Sequence, residues 1–167
     1  MSFRLVVALM AMPFILSDVI AATAPAGLVG TWQLVSRETR DAAGQVIDEP
    51  SLGSDPLGYI MYDAQGHIAV QLMARNRPAD ACATTAKADT NNIAHIGGYD
   101  AYFGRYQVDQ AAGTVTHTLE GAIGPSDVGR KMTRRFRIEG DTLTLSFEPG
   151  GEHNRGVTRT LVWRRVG

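Results

Sequence analysis

Apolar and polar residues alternate along most of this chain with a period of two, which is the spacing of a half-buried β-strand. The clearest early run is Gly30-Thr31-Trp32-Gln33-Leu34-Val35-Ser36, which is predicted to turn Trp32, Leu34 and Ser36 inward. Gln33, Val35 and Arg37 are then predicted to face outward. Short connections rich in Gly, Asp and Pro separate successive runs and are typical of turns. The pattern predicts eight strands, at residues 31–39, 57–62, 67–74, 101–108, 114–120, 131–138, 142–147 and 157–166.

The middle of the chain breaks this pattern. Residues 75–98 are largely polar and show no strand alternation. A connection of this length is typical of a lid, a binding loop or a disordered stretch. A short helix near residues 91–99 is the alternative, because Ile93, Ile96 and Tyr99 have helical spacing.

Eight antiparallel strands can close on themselves, which removes the exposed edges of the sheet. A barrel of this size has room for packed side chains or one small ligand. The predicted fold class is therefore all-β: an eight-stranded antiparallel up-and-down barrel with a long mid-chain loop or short helix.

Alternation also sorts the two faces of each strand, because residues two apart point the same way. Apolar residues two positions away are expected to be buried, so the side chains on the same face should also point into the barrel. These side chains are Tyr102, Tyr106, His117, Arg134 and Arg159. Buried cations are costly unless they are paired, and polar groups that converge in an apolar cavity indicate a ligand site. The alternative is that these side chains lie near the barrel mouths in contact with water.

The last strand brings Arg165 to the same end of the barrel as Trp32. A guanidinium can stack on the face of an indole ring. We therefore expect Arg165 to cover Trp32 and to close the barrel floor, which is a structural role.

Composition narrows the classes of function. The chain has 167 residues, 44% of them hydrophobic and 20% charged, with a formal net charge of -1. This predicts one globular domain and gives no electrostatic case for nucleic-acid binding. The locally basic run at 130–137 is interpreted as the wetted face of a strand. The single Cys82 cannot form an internal disulfide and is expected to be a loop thiol.

The first 22 residues have the pattern of a cleavable signal peptide. Arg4 precedes an apolar run at 5–16, and the small residues Ala21 and Ala22 offer two cleavage sites. The apolar run is shorter than the roughly 20 residues that span a bilayer, although a retained membrane anchor is the alternative. We expect a periplasmic or secreted domain at 23–167, without stable membrane insertion after processing.

The sequence contains no recognisable catalytic, metal-binding or phosphate-binding motif. The four histidines share no metal-ligand spacing, and no phosphate-binding loop or nucleophile elbow is present. We therefore expect no metal and no cofactor, and assign no catalytic residue. The histidines are His67, His95, His117 and His153.

Several runs together resemble the bacterial lipocalin-like domain proteins. The Gly30-Thr31-Trp32 run is similar to the Gly-x-Trp that opens lipocalins, and Arg165 suits the Arg that lies against that Trp in the family. Other matching runs are Gly58-Tyr59-Ile60-Met61-Tyr62, Val70-Gln71-Leu72-Met73, Ala101-Tyr102-Phe103-Gly104-Arg105-Tyr106, Gly113-Thr114-Val115-Thr116-His117 and Leu161-Val162-Trp163. The resemblance implies a calycin-type barrel that holds a small, largely apolar molecule.

Three functions remain open. The first is binding of a small hydrophobic ligand, with an Arg gripping a carboxylate where the ligand carries one. The second is an isomerase- or cyclase-type enzyme that uses His117 and a Tyr as acid and base. The third is a structural or protein-binding barrel with a filled interior. The expected ligand contacts are Tyr59, Tyr102, Tyr106, His117, Arg134 and Arg159.

Overall fold

A computed structural model describes residues 27–49, 51–79, 81, 85–86 and 90–166. The predicted signal peptide at 1–22 and Cys82 lie outside the described residues. Within them the chain forms ten strands and two short 3-10 helices, the latter at Pro125–Asp127 and Glu152–Asn154. The strands are β1 (Gly30–Arg40), β2 (Leu57–Tyr62), β3 (His67–Met73), β4 (Thr85–Ala86), β5 (His95–Ile96), β6 (Tyr99–Asp109), β7 (Thr114–Ala122), β8 (Lys131–Glu139), β9 (Thr142–Phe147) and β10 (Thr158–Arg165).

Eight of these strands close into an antiparallel barrel. β1, β2 and β3 form a meander, β3 pairs with β6, and β6 to β10 continue the meander. β10 then pairs with β1, where Trp32 faces Arg165 and Leu34 faces Trp163. Closure leaves no free edge among the long strands, as the alternation predicted. The short β4–β5 hairpin extends the sheet beside β6.

Two ends of the barrel are distinguished by their connections. At the end that we call the floor, tight hairpins join β2 to β3, β6 to β7 and β8 to β9, and β1 begins. The opposite end, where the longer connections between strands lie, we call the mouth. The buried core lies between them and includes two tryptophans, Trp32 and Trp163. The core residues lie mostly at alternate positions of the long strands, although Tyr59, Met61 and Phe103 are exposed on the outer face.

A β-bulge in β1 makes the predicted facing of the second half of this strand wrong. The pairing of β1 with β10 shifts register between Leu34 and Ser36, so one extra residue enters β1. Ser36, predicted to face inward, is instead exposed, and Arg37, predicted to face outward, is buried. Thr39 follows Arg37 into the interior. The bulge therefore adds a cation to the mouth end of the barrel.

The mid-chain connection does not contain the helical turn that we considered as an alternative for residues 91–99. Within the described residues this stretch includes the short strand β5 instead. Gly97 and Gly98 have φ angles of 55° and 71°, which turn the chain sharply into β6 and end any helix. Ile93 is 1% exposed and joins the core, so the chain around it covers the mouth.

None of the helices among the described residues is long and apolar enough to span a bilayer.

Candidate functional site

A cavity lies in the mouth half of the barrel. Water-sized molecules can reach about 30 Å³ of it, which is room for roughly two waters. Its wall combines apolar side chains with charged and hydrogen-bonding groups. The lining residues are Arg37, Ile60, Val70, Leu72, Asn92, His95, Asp100, Tyr102, His117, Arg134, Leu145, Phe147, Arg159, Leu161 and Trp163.

Two arginines at the mouth share one carboxylate. Arg37, on β1 after the bulge, makes an ion pair with Glu49 from the β1–β2 connection. Arg159, at the start of β10, lies 3.7 Å from the same Glu49 carboxylate and donates from Nε to Thr39 Oγ1 at 3.3 Å. Burial alone would raise the pKa of Glu49, but Arg37, Ser51 and Arg159 together lower that pKa to about 2. Glu49 is therefore ionised at neutral pH.

The third arginine has a different environment. The guanidinium of Arg134, on β8, lies 3.6 Å from the centre of the Phe147 ring. Its Nη1 donates to the backbone and side-chain oxygens of Asn91, both at 3.0 Å, and its Nη2 lies 3.4 Å from Met132 Sδ. Arg134 is 5% exposed, and within the described residues it forms no ion pair.

An acidic residue also lines the cavity. Asp100 lies at the start of β6 and is 4% exposed, and its Oδ2 is 3.4 Å from Nδ1 of His95. Burial raises the pKa of Asp100 to about 7 despite the nearby arginines. Burial also lowers the pKa of His95 to about 4, so His95 is neutral at physiological pH. Asn92 Nδ2 lies 3.4 Å from Nε2 of His95 and orients that ring.

Deeper in the barrel, His117 is held between two tyrosines. Its Nε2 is 2.9 Å from the hydroxyl of Tyr62, and its Nδ1 is 2.9 Å from the hydroxyl of Tyr102. Burial lowers the pKa of His117 well below its usual value and raises the pKa values of both tyrosines. All three groups are therefore neutral at physiological pH.

The predicted site residues fall into two groups. Tyr102, His117, Arg134 and Arg159 come together around the cavity. Tyr106 is buried, but it packs edge-on against Tyr62 and donates its hydroxyl to Asp63 O at 2.6 Å, near the floor. It does not line the cavity.

Tyr59 stands apart from the other predicted contacts. It is 46% exposed on the outer face of β2, away from the cavity. The alternate residues Ile60 and Tyr62 point inward instead. Both faces of this strand carry apolar residues, so alternation within the strand did not separate them. The register of the β2–β3 hairpin separates the two faces, because it pairs Tyr62 with the buried Ile68 of β3.

Sequence reasoning missed four residues of the cavity wall. Arg37 was predicted to face outward, because a β-bulge cannot be recognised from the alternation of apolar and polar residues. Asn92 and His95 lie in the polar mid-chain stretch, which showed no pattern. Asp100 precedes the predicted start of its strand by one residue, although its spacing of two from Tyr102 was a usable signal.

At the floor, Arg165 lies over the ring of Trp32, which is the contact expected from the sequence. The described residues contain no group of three or more His, Cys, Asp and Glu side chains that could hold a metal ion.

Comparison with known proteins shows a family match and similarity to a solved structure. Residues 29–166 match the family described as "Lipocalin-like domain". The crystal structure of a lipoprotein YedD from Klebsiella pneumoniae subsp. pneumoniae is 14% identical over 89% of this chain and 80% of its own, with a TM-score of 0.43. None of the curated proteins compared with this chain matches it.

Proposed function

The chain belongs to the lipocalin-like domain family, and from that premise we propose that it binds a small carboxylate in the cavity at the barrel mouth. Barrels of eight strands can hold one small ligand, and mixed apolar and polar walls are typical of such sites. The carboxylate lies toward the arginines, and a short apolar part lies against Val70, Leu72 and Leu161.

The observation that carries this proposal is the environment of Arg134. A buried cation is costly unless an anion or a full set of hydrogen bonds compensates it. Among the described residues Arg134 donates hydrogen bonds only to neutral groups and makes no ion pair, although the charge of Asp100 acts on it through space. The carboxylate of Glu49 is shared by Arg37 and Arg159. A ligand carboxylate at Arg134 would make the charge-assisted hydrogen bonds that a guanidinium favours.

The cavity limits the ligand's size. At about 30 Å³ it is much smaller than the roughly 300–1,000 Å³ typical of drug-sized ligands. A short acid fits this volume better than a long-chain lipid, and either requires the cover at 91–96 to shift. That cover is held by hydrogen bonds from Asn91 to Pro149 O, Thr133 O and Glu148 O. We expect these bonds to open when a ligand enters.

The geometry favours binding over acid–base catalysis at His117. Both of its ring nitrogens lie at hydrogen-bond distance from tyrosine hydroxyls, so neither is available to a substrate. A general base also works best with a pKa near the operating pH, and burial moves the pKa of His117 away from that range.

The test is a titration of the purified protein with butanoate, followed by calorimetry and by thermal unfolding. We expect butanoate to raise the melting temperature in a concentration-dependent way, because a ligand of the native state stabilises it. Arg134→Gln should weaken binding by about tenfold or more, since a charge-assisted hydrogen bond is lost.

The matched control is Arg135→Gln, which removes a cation from the adjacent, exposed position of β8. It should bind butanoate like the wild type. If butanoate, hexanoate and acetate all fail to bind or stabilise the folded wild type, the binding proposal is wrong and the filled structural barrel is favoured.

We also propose that the protein is exported, on the pattern of residues 1–22. The intact mass of protein isolated from the periplasm should correspond to cleavage after Ala21 or Ala22. Retention of the full leader on a membrane-bound form would contradict export by cleavage.

A further inference from the structure

Three buried polar atoms of residues that line this cavity have no hydrogen-bond partner within the part of the chain that the structure describes. They are Oδ1 of Asp100, Nδ1 of His95 and Nε1 of Trp163. Their residues are 4%, 5% and 1% exposed. Buried polar groups in folded proteins are nearly always hydrogen-bonded, and exceptions point to a missing water or ligand. Nδ1 of His95 lies 3.4 Å from the other oxygen of Asp100, so the clearest exceptions are Asp100 Oδ1 and Trp163 Nε1. Together they indicate that a polar group belongs in the cavity.

The roles of these atoms specify that group. The indole N–H of Trp163 can only donate a hydrogen bond. Ionised Asp100 can only accept one, and its other oxygen already faces His95 at 3.4 Å. A group that fits the cavity must therefore accept from Trp163 and donate to Asp100. A hydroxyl does both, whereas a ketone only accepts and an ammonium only donates.

The position of Asp100 supports the same conclusion. A carboxylate in the wall of a cavity lined by Arg37, Arg134 and Arg159 repels an incoming carboxylate and weakens the site for a plain acid. The Asp100 carboxylate favours binding when the ligand donates a hydrogen bond to it, because a buried acceptor without a partner is costly.

We propose, as a refinement that rests on the carboxylate-binding function above, that the ligand is a short hydroxy acid. Its carboxylate lies at Arg134, and its hydroxyl donates to Asp100 and accepts from Trp163. Asp100 and Trp163 are then the residues that select a hydroxy acid over the unsubstituted acid.

The experiment compares matched four-carbon acids by calorimetry on the wild type at pH 8, where Asp100 is largely ionised. The probes are butanoate, 2-oxobutanoate and both enantiomers of 2-hydroxybutanoate and 3-hydroxybutanoate. We expect at least one hydroxy acid to bind about tenfold or more tightly than butanoate and 2-oxobutanoate, because sites built for a hydroxyl reject analogues without one. Its enantiomer should bind more weakly, since Asp100 and Trp163 lie at fixed positions.

Two variants test the assignment of residues. Trp163→Phe removes the N–H but keeps an aromatic ring, and Asp100→Leu removes the acceptor in a side chain of the same branching but larger volume. In each variant the ratio of hydroxy-acid affinity to butanoate affinity should fall toward one. The control is Arg164→Gln, because Arg164 is exposed on the same strand as Trp163. This variant should keep the wild-type ratio. If Asp100→Leu does not fold, Trp163→Phe and the enantiomer comparison decide the question.

The outcomes separate the two proposals. If butanoate binds but every hydroxy acid binds no more tightly, the hydroxy-acid inference is overturned and water satisfies the three atoms, while the carboxylate site stands. If none of the probes binds, the carboxylate-binding function fails and the refinement falls with it.

Discussion

The guanidinium of Arg165 lies 4.0 Å from the centre of the Trp32 ring, and the two residues face each other across the β1–β10 pair. Arg165 also donates to the carbonyl oxygens of Val29 at 2.8 Å and Gly27 at 2.6 Å. These contacts join the end of the last strand to the chain that leads into the first. They cover the floor of the barrel at the point where β1 and β10 join.

Replacing this arginine tests its structural role. Arg165→Met keeps a flexible apolar chain over Trp32 but loses the cation–π contact and both hydrogen bonds. We expect the free energy of unfolding to fall by about 1–2 kcal/mol, as measured by urea denaturation. Arg164→Met changes the neighbouring exposed residue and should have little effect. Equal losses in both variants would show that the floor contact contributes nothing specific.

Glu49 should control both stability and anion affinity. Glu49→Gln removes the carboxylate shared by Arg37 and Arg159, so we expect the free energy of unfolding at pH 7 to fall by about 1–3 kcal/mol. Butanoate should stabilise this variant more than the wild type, because its carboxylate can compensate the same arginines. Glu38→Gln, which removes an exposed partner of Arg40, is the control.

The effect of Glu49 should depend on pH with a definite sign. Because the pKa of Glu49 is lowered to about 2 in the folded protein, its ionised form contributes stability that is fully present above an unfolded-state value near 4.5. That contribution is lost as pH falls toward 2. The difference in unfolding free energy between wild type and Glu49→Gln should therefore be constant above about pH 5 and shrink below it. A difference independent of pH would contradict this assignment.

Asp100 should show the opposite pH dependence. Its pKa is raised to about 7 in the folded protein, so as pH rises from 4 the unfolded chain ionises first and the native state loses stability up to about pH 7. Asp100→Asn should therefore gain stability relative to the wild type between pH 4.5 and pH 8. His95 lies 3.4 Å from Asp100 and is neutral over most of this range in the folded wild type, because burial lowers its pKa to about 4. Urea denaturation of both proteins at pH 4.5 and pH 8 measures the difference in their unfolding free energies. If that difference is the same at both pH values, the raised pKa of Asp100 is wrong.

The barrel could be predicted from the sequence because most of its strands alternate apolar and polar residues and are separated by recognisable turns. The strands predicted at 57–62 and 142–147 coincide with β2 and β9. Tyr102, His117, Arg134 and Arg159 were placed around one cavity because apolar neighbours two residues away fixed their facing. In these strands the period-two pattern alone determines which side chains share an interior.

The rest of the site could not be predicted because it depends on departures from that pattern. The bulge in β1 reverses the facing of Ser36 and Arg37, and no local residue type signals it. Asn92 and His95 reach the cavity from an irregular stretch whose position is set by distant contacts, such as Ala94 N to Asp127 Oδ2 at 2.8 Å. Tertiary hydrogen bonds of this kind carry no periodicity that a single sequence displays.

The two hydroxyls that hold His117 should each contribute to stability. Tyr62→Phe and Tyr102→Phe remove the hydroxyl groups 2.9 Å from Nε2 and Nδ1 and leave a buried ring nitrogen without a partner. We expect each variant to lose about 1–3 kcal/mol of unfolding free energy. Tyr99→Phe, which removes an exposed hydrogen bond to Gln71, should lose less.

The same network predicts how His117 titrates. Because burial lowers its pKa well below the usual value, the ring should stay neutral throughout the range in which an exposed histidine becomes protonated. Its NMR ring resonances should therefore not change between pH 5 and pH 8 in the wild type. Tyr102→Phe keeps the ring buried, so its resonances should remain insensitive to pH even though the protein is less stable. A titration midpoint within this range would show that water reaches His117, and it would reopen a role for that residue as a base.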